Sequence, residues 1–193
     1  MPESSKTTHD KGEVMKLKIS KLLLEGALIF QAKNDVRYYL NGICFMPDGR
    51  VSATDGHRAF IANKHDNKIT DNVIVSVSKS TTKRYDYAVL DTKTKMVTYH
   101  DVFDVLVGAG ICEIIDGRFP DIDRVIPKQT APAEQIGFNA KYLADVEKCA
   151  KLFNPRFESV RFELNGNTNA AVANLSSPTG ETAKIIVMPM RID

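Results

Sequence analysis

The chain has 193 residues, room for one or two domains and too few for a large multidomain machine. With 43% hydrophobic and 26% charged residues, and 26 Lys and Arg against 24 Asp and Glu, its composition excludes a disordered or fibrous chain and argues against a strongly basic nucleic-acid glue. Three widely spaced cysteines, Cys44, Cys112 and Cys149, make neither a disulfide framework nor a zinc ribbon and fit a reducing cytoplasm. The longest apolar stretch, residues 22–30, is interrupted by Glu25 and falls well short of the roughly 18 residues that cross a bilayer, so no membrane partner is expected.

Residues 1–14 are polar and charged and read as a disordered tail, with Met15 as an alternative start. Residues 15–19 alternate like a strand, Ser20 is a helix N-cap, and residues 21–32 carry Leu23, Leu24, Ala27, Leu28 and Phe30 on one helical stripe. Strands are expected over residues 38–46, 51–54 and 58–62, separated by the Pro47-Asp48-Gly49 turn and a break at Gly56. The middle of the chain has strand-like runs at 73–77, 85–90, 96–99, 102–107 and 111–115, but residues 78–84 are too short, polar and β-branched for a helix. Residues 120–133 are a proline-rich linker.

The last third repeats the order of the first. Residues 135–138 form a short strand, Asn139 caps a helix over 140–153 that must end before Pro155, and residues 159–164 meet Asn165-Gly166, a two-residue hairpin signal. Strands at 170–175 and 183–188 follow, joined by Pro178-Thr179-Gly180. From cap to hairpin glycine the distance is 29 residues from Ser20 to Gly49 and 27 from Asn139 to Gly166, the mark of an internal repeat. The middle is then a degenerate copy, giving an α+β protein of about three units with helices on one side of the sheets.

No reactive constellation emerges. The chain lacks a phosphate-binding loop, a His-Glu-x-x-His pair and a nucleophile elbow, and Gly108-Ala109-Gly110 lacks the rest of a dinucleotide fingerprint and reads as a strand bend. Asp55, His57 and His65 could be imagined as acid-base or metal groups, yet Thr54-Asp55-Gly56-His57-Arg58 falls where a tight turn is needed and Asp and Gly suit that turn on their own account. The expectation is a binding protein, not an enzyme, with no catalytic residues, metal or cofactor.

Five motifs carry a resemblance. Residues 36–42 (Val-Arg-Tyr-Tyr-Leu-Asn-Gly), 53–58 (Ala-Thr-Asp-Gly-His-Arg), 116–121 (Asp-Gly-Arg-Phe-Pro-Asp), 136–139 (Ile-Gly-Phe-Asn) with Tyr142, and 187–191 (Val-Met-Pro-Met-Arg), in this order, closely resemble the bacterial β sliding clamp, the DNA polymerase III β subunit. The resemblance implies the DNA-clamp fold of strand-helix-strand-strand-strand units with helices lining a DNA channel. It aligns residues 15–127 with the family's middle domain and residues 134–193 with the C-terminal half of its last domain. The family's first domain and the first half of its third have no counterpart, and with them the usual ring-closing contact.

By that resemblance a groove for partner peptides is implied at Leu40, Thr54, Gly56, His57, Arg58, Pro120, Arg124, Val125, Asn139, Tyr142, Val187, Met188, Pro189, Met190 and Arg191. Such residues suit an extended peptide with apolar anchors and polar atoms at the rim. Ala59 stands where the family has a larger aliphatic residue, Ile122-Asp123 where it has Tyr and a basic residue, and Asp193 extends the usual end. Duplex DNA contacts without sequence preference are implied for Arg37, Tyr38 and Tyr39. The basic side of the second helix, Lys141, Lys148 and Lys151, is implied to face the channel; taken from the residues alone, a solvated helix face is the favoured reading of these lysines. The implied function is a processivity factor in DNA replication. Its implied partners are duplex DNA, a replicative polymerase and other proteins with clamp-binding motifs, a clamp loader, and further copies of the chain in a ring. The alternative is a non-encircling mimic or decoy that sequesters clamp-binding proteins.

Overall fold

A computed structural model describes residues 15–80, 82–157 and 159–191; the expected tail over residues 1–14 and the extension at Asp193 lie outside the described residues. Strand β1 (Lys16–Ser20) runs directly into helix α1 (Lys21–Phe30), because Ser20 stays extended and its hydroxyl accepts the Leu23 amide. The helix ends where Gln31 turns extended and its N–H still reaches the Ala27 carbonyl. The chain then makes a 3-10 turn at Tyr38–Leu40 and the strands β2 (Ile43–Phe45), β3 (Arg50–Thr54) and β4 (Arg58–Asn63). The strand expected over 38–46 is therefore only its last part. Asn41 closes the preceding loop, accepting the Asp35 N–H at 3.0 Å and donating to the Asp35 carbonyl at 2.9 Å, so residues 35–41 are turned back on themselves.

The middle supplies β5 (Val73–Val77), β6 (Tyr87–Asp91), β7 (Met96–His100) and β8 (Leu106–Ile114). Among the described residues no helix separates β5 from β6, as expected. Two strands were expected where β8 is one. Residues 101–105 form its hairpin turn, in which the Asp101 carboxylate accepts the N–H groups of Phe103 and Val105, both at 2.9 Å. Gly108-Ala109-Gly110 lies inside β8 rather than at a bend, and its two glycines give room to Thr82 and Ser78 packed against them.

Helix α2 (Ala140–Phe153), capped by Asn139, leads to β9 (Phe162–Glu163), β10 (Ala171–Ser176) and β11 (Thr182–Val187). The expected strand over 135–138 is reduced to one antiparallel bridge between Gly137 and Met190. The tight hairpin at Asn165-Gly166 is absent as well, since Val172 pairs with Glu163 and the connection runs over residues 164–170. Ala131 intervenes there. Its N–H donates to the Leu164 carbonyl at 2.9 Å and its carbonyl accepts the Gly166 N–H at 3.0 Å, taking backbone groups that a two-residue turn needs.

The eleven strands among the described residues join one sheet in the order β1-β6-β7-β8-β5-β2-β3-β4-β11-β10-β9. The first and last units meet where β4 and β11 pair antiparallel from Thr182 opposite Asn63 to Val187 opposite Arg58. Both helices lie on one face and share a core with Leu17, Phe45, Phe60 and Ile185. Phe60 is its hinge pin, stacked on Phe30 of α1 at 6.0 Å and edge-on to Phe153 of α2 at 6.1 Å. A smaller cluster on the opposite face gathers Cys44, Ala59, Ile61, Phe119, Ile122 and Ile186.

Candidate functional site

The β3–β4 turn is built by its own side chains. Gly56 takes φ +91°, a left-handed conformation that glycine adopts without strain, and its N–H donates to the Thr54 hydroxyl at 3.0 Å. The Asp55 carboxylate accepts the N–H groups of His57 and Arg58 at 2.9 and 3.0 Å. Asp55 is thus consumed as a turn former, in line with the reading from sequence. Among the described residues no group of three or more His, Cys, Asp and Glu is placed to hold a metal ion.

Arg58 connects this turn to both helices. Its guanidinium bonds Asp55 at 2.9 Å, the Asp145 carboxylate of α2 and the Ile29 carbonyl of α1 at 3.4 Å, and it lies 5.2 Å from the ring centres of Phe30 and Tyr142. Burial opposes the guanidinium charge, but the hydrogen bonds from Asp55 and Asp145 outweigh it and push its pKa up. Burial likewise works against the Asp145 carboxylate, and Lys148 and Arg58 together hold its pKa below the usual carboxylate range. The His57 ring stacks on Tyr142 at 6.1 Å, and the His57 carbonyl accepts the Met188 N–H at 2.9 Å.

Behind the turn a cavity of about 230 Å³ opens onto the sheet face opposite the helices. Thr54, Ala59 and Ile186 lie side by side on three neighbouring strands, and Leu40, Pro120, Ile122, Val125 and Met188 complete an apolar lining. Tyr39, Arg37, Gly56, His57, Arg58 and Asp121 stand around it. Arg50 fixes the loop that carries Ile122 and Val125, gripping both Asp123 oxygens at 2.7 and 2.9 Å. A second, more open and polar trench of about 640 Å³ adjoins the first, shares Asp121, Val125 and Met188 with it, and adds Arg124, Asn165 and Asn169.

Of the fifteen groove residues expected from sequence, eight line the cavity: Leu40, Thr54, Gly56, His57, Arg58, Pro120, Val125 and Met188. Arg124 lines the trench and pairs with Asp121 at 3.0 Å. Tyr142 joins the set through its stack on His57, and Asn139 spends its side-chain oxygen on the Lys141 N–H. Pro189, Met190 and Arg191 continue past the cavity, with Met190 donating its N–H to the Gly137 carbonyl at 2.8 Å. Val187 is the misplaced member. It is fully buried in the helix-side core, and its neighbour Ile186 faces the cavity, because adjacent residues of a strand point to opposite faces. Ile122 was noted only as a departure, and Ile186 would have been found by assigning the face of β11.

The residues expected to meet DNA fall in two places. Arg37 and Tyr39 stand at the cavity, where Asp35 grips the Arg37 guanidinium at 2.8 and 3.0 Å and a Cβ on Gly56 would lie 2.8 Å from it. That hydrogen bond lowers the Asp35 pKa to about 2. Tyr38 is exposed. Lys141, Lys148 and Lys151 sit on the exposed side of α2, two of them bound within the helix: Lys148 to Asp145 at 2.7 Å and Lys151 to Glu147 at 2.8 Å.

No model of a known protein family matches the sequence. Among curated proteins it is 32% identical over 171 residues to the β sliding clamp of Vibrio cholerae serotype O1, an alignment spanning 84% of this chain and 45% of the relative. The β sliding clamp of Escherichia coli K12 is 28% identical over 181 residues, 86% of this chain and 47% of the relative. The chain is a relative of the bacterial β sliding clamps. It spans about half the length of the curated clamps it matches. Solved clamp structures share the fold: Caulobacter crescentus pol III β superposes with a TM-score of 0.65 at 18% identity, covering 100% of this chain and 70% of that one. The Pseudomonas aeruginosa sliding clamp bound to griselimycin gives 0.62 at 20% identity, covering 96% and 68%. This clamp relative therefore has the α+β clamp architecture expected from its repeats. No helix among its described residues is long and apolar enough to cross a membrane.

Proposed function

We propose that this clamp relative is a non-enzymatic processivity factor of DNA replication: it assembles with further copies around duplex DNA and holds polymerase and repair proteins by extended peptides laid in the cavity behind the β3–β4 turn. The observation that carries the reading is the cavity itself. It brings Leu40, Thr54, Ala59, Pro120, Ile122 and Val125 of the first part of the chain against Ile186 and Met188 of the last. Its lining is apolar with polar groups at the rim, which suits a peptide whose side chains anchor and whose backbone is left at the surface. In this proposal residues 15–127 and 134–193 act as one and a half clamp domains joined through β4 and β11. DNA is met through phosphate and sugar by the exposed lysines of α2 and by the 37–39 segment, without base readout.

The test combines mass and topology. Light scattering over a wide concentration range is expected to show a closed multiple of the chain, and that assembly is expected to stay on a nicked circular duplex and run off once the duplex is cut. A monomer at every concentration, released equally from circular and linear DNA, overturns the encircling part of the proposal.

A further inference from the structure

We infer that strand β8 of one copy pairs antiparallel with β8 of a second copy across a two-fold axis; the inference rests on the self-assembly reading above. Each of the three units ends in a strand, β4 in the first, β8 in the middle and β11 in the last. Two of these, β4 and β11, pair edge to edge within the chain. The third has an open edge. The Cys112 N–H donates to the Lys95 carbonyl at 3.0 Å, and bonded and non-bonded pairs alternate along an antiparallel ladder, so Ile111 and Ala109 point their N–H and C=O groups away from β7. At Ile111 both groups go to Ser78, whose hydroxyl accepts the Ile111 N–H and whose own N–H reaches the Ile111 carbonyl, each at 2.8 Å. Beyond Ser78 the chain leaves the edge and passes over the core-side face of β8, where Thr82 packs on Gly108. Among the described residues no hydrogen bond reaches the backbone of Ala109, which is exposed.

An open edge recruits a further strand unless a charge, a proline, a short run or a covering segment blunts it. The two ends of the sheet are blunted. On β1, Lys16 and Lys18 are exposed, and the Asn67 side chain takes the Lys18 N–H at 2.7 Å and its carbonyl at 2.8 Å. Strand β9 is two residues long, and Ala131 occupies the backbone just beyond it. Residues 106–110 (Leu-Val-Gly-Ala-Gly) carry neither charge nor proline, and apolar side chains stand exposed around them: Phe103 by 82%, Leu106 by 58% and Ile111 by 69%. A second β8 fits this edge because it is the one unit-ending strand that a neighbouring copy leaves unpaired. The free window is bounded by Ser78 at one end and by the 101–105 turn at the other. A two-fold through its centre, Gly108, lays residues 106–110 of the two copies along one another without meeting either boundary. The same axis sets the turn of each copy, with its exposed Phe103 and the carboxylates of Asp101 and Asp104, beside Ser78 and the exposed Lys79 of the other, so the charges are complementary.

Sedimentation velocity of the full chain over a wide concentration range measures self-association, and three variants locate it. Ala109→Pro removes an N–H that has no partner in the single chain, at an edge where proline is tolerated, so near-ultraviolet circular dichroism should be retained. The two-fold counts that loss twice, and self-association is expected to weaken by about tenfold or more. Leu106→Lys places a charge on each strand of the window at an exposed position and is expected to weaken it likewise. Ala109→Cys is expected to give a covalent dimer with a short bis-maleimide, because the three native cysteines are buried and the two introduced thiols lie close to the axis; Arg161→Cys, exposed beside β9, should stay unlinked. If Ala109→Pro fails to fold, Leu106→Lys and the cross-link decide the matter. Association untouched by the substitutions, with no link at Ala109→Cys, overturns this inference and leaves self-assembly standing through another surface. A wild-type chain that is monomeric at every concentration overturns the self-assembly reading, and this inference with it.

Discussion

Arg58 joins three elements with one side chain, and its environment makes it more a structural joint than a ligand contact. The side chain is only 11% exposed and the Asp145 side chain 19%, so their ion pair lies largely out of water. Such a pair is worth little compared with an apolar replacement of both partners, but removing one partner strands the other charge in a desolvated place. Arg58→Ala leaves the half-buried Asp145 carboxylate paired with Lys148 and no longer with Arg58, and also removes the cation from the faces of Phe30 and Tyr142. The expected cost is about 3 kcal/mol in urea unfolding. Arg58→Ala combined with Asp145→Ala should recover part of that loss, because the second change removes the stranded charge. If Arg58 acted only as a peptide contact, the single substitution would leave unfolding unchanged and weaken peptide binding alone.

Helix α1 owes its seat to a residue that is poor for helices. A Cβ placed on Gly26 would lie 2.5 Å from Cζ of Phe60, closer than side-chain carbons approach, so the helix rests on the ring because glycine is there. Two effects oppose one another in Gly26→Ala. Helix propensity favours alanine by about 1 kcal/mol. Forcing a methyl against Phe60, itself wedged between Phe30 and Phe153, costs about 1 to 3 kcal/mol, so net destabilisation is expected in a thermal melt, with Phe60→Leu in the same chain reversing it. The stripe and cap that make α1 were legible in the sequence, as were α2 with its Asn139 cap and the Thr54–Arg58 turn, because each signal is local. What failed was non-local. Tyr38-Tyr39-Leu40 has strand propensity, yet the Asp35–Asn41 hydrogen bonds turn it into a 3-10 turn. Asn165-Gly166 is a hairpin signal overridden by Ala131 from the linker. Val187 was assigned to the groove in place of Ile186 because the face of β11 is set by its register against β4, and a shift of one residue exchanges the two faces.

At the scale of the whole chain the question is how tightly so nearly neutral a protein can hold DNA. A formal charge of +2 supplies no strong long-range attraction, and the candidate channel face is further muted by the pairing of Lys148 with Asp145 and of Lys151 with Glu147. Affinity for duplex DNA falls with salt in proportion to the number of phosphates neutralised, with a slope near −0.9 for each in a log-log plot. Three lysines on α2 and Arg37 of the 37–39 segment, three of the four sharing their charge with carboxylates, set a limit of about −3.6 for one chain. The expected result is a slope between about −1 and −3 on a short linear duplex, reduced by about one in Lys141→Ala. Replacing Asp145 would confuse the experiment by freeing Arg58, so Glu147→Gln is the better probe: it removes one exposed carboxylate from the lysine-bearing side of the helix and should steepen the slope and tighten binding without disturbing the fold. A slope near zero that neither change alters would mean that α2 does not face the duplex. Weak contact of this kind is compatible with processivity only if topology does the holding, so the mass of the assembly and its retention on circular DNA bear more on function than any affinity measured for the single chain.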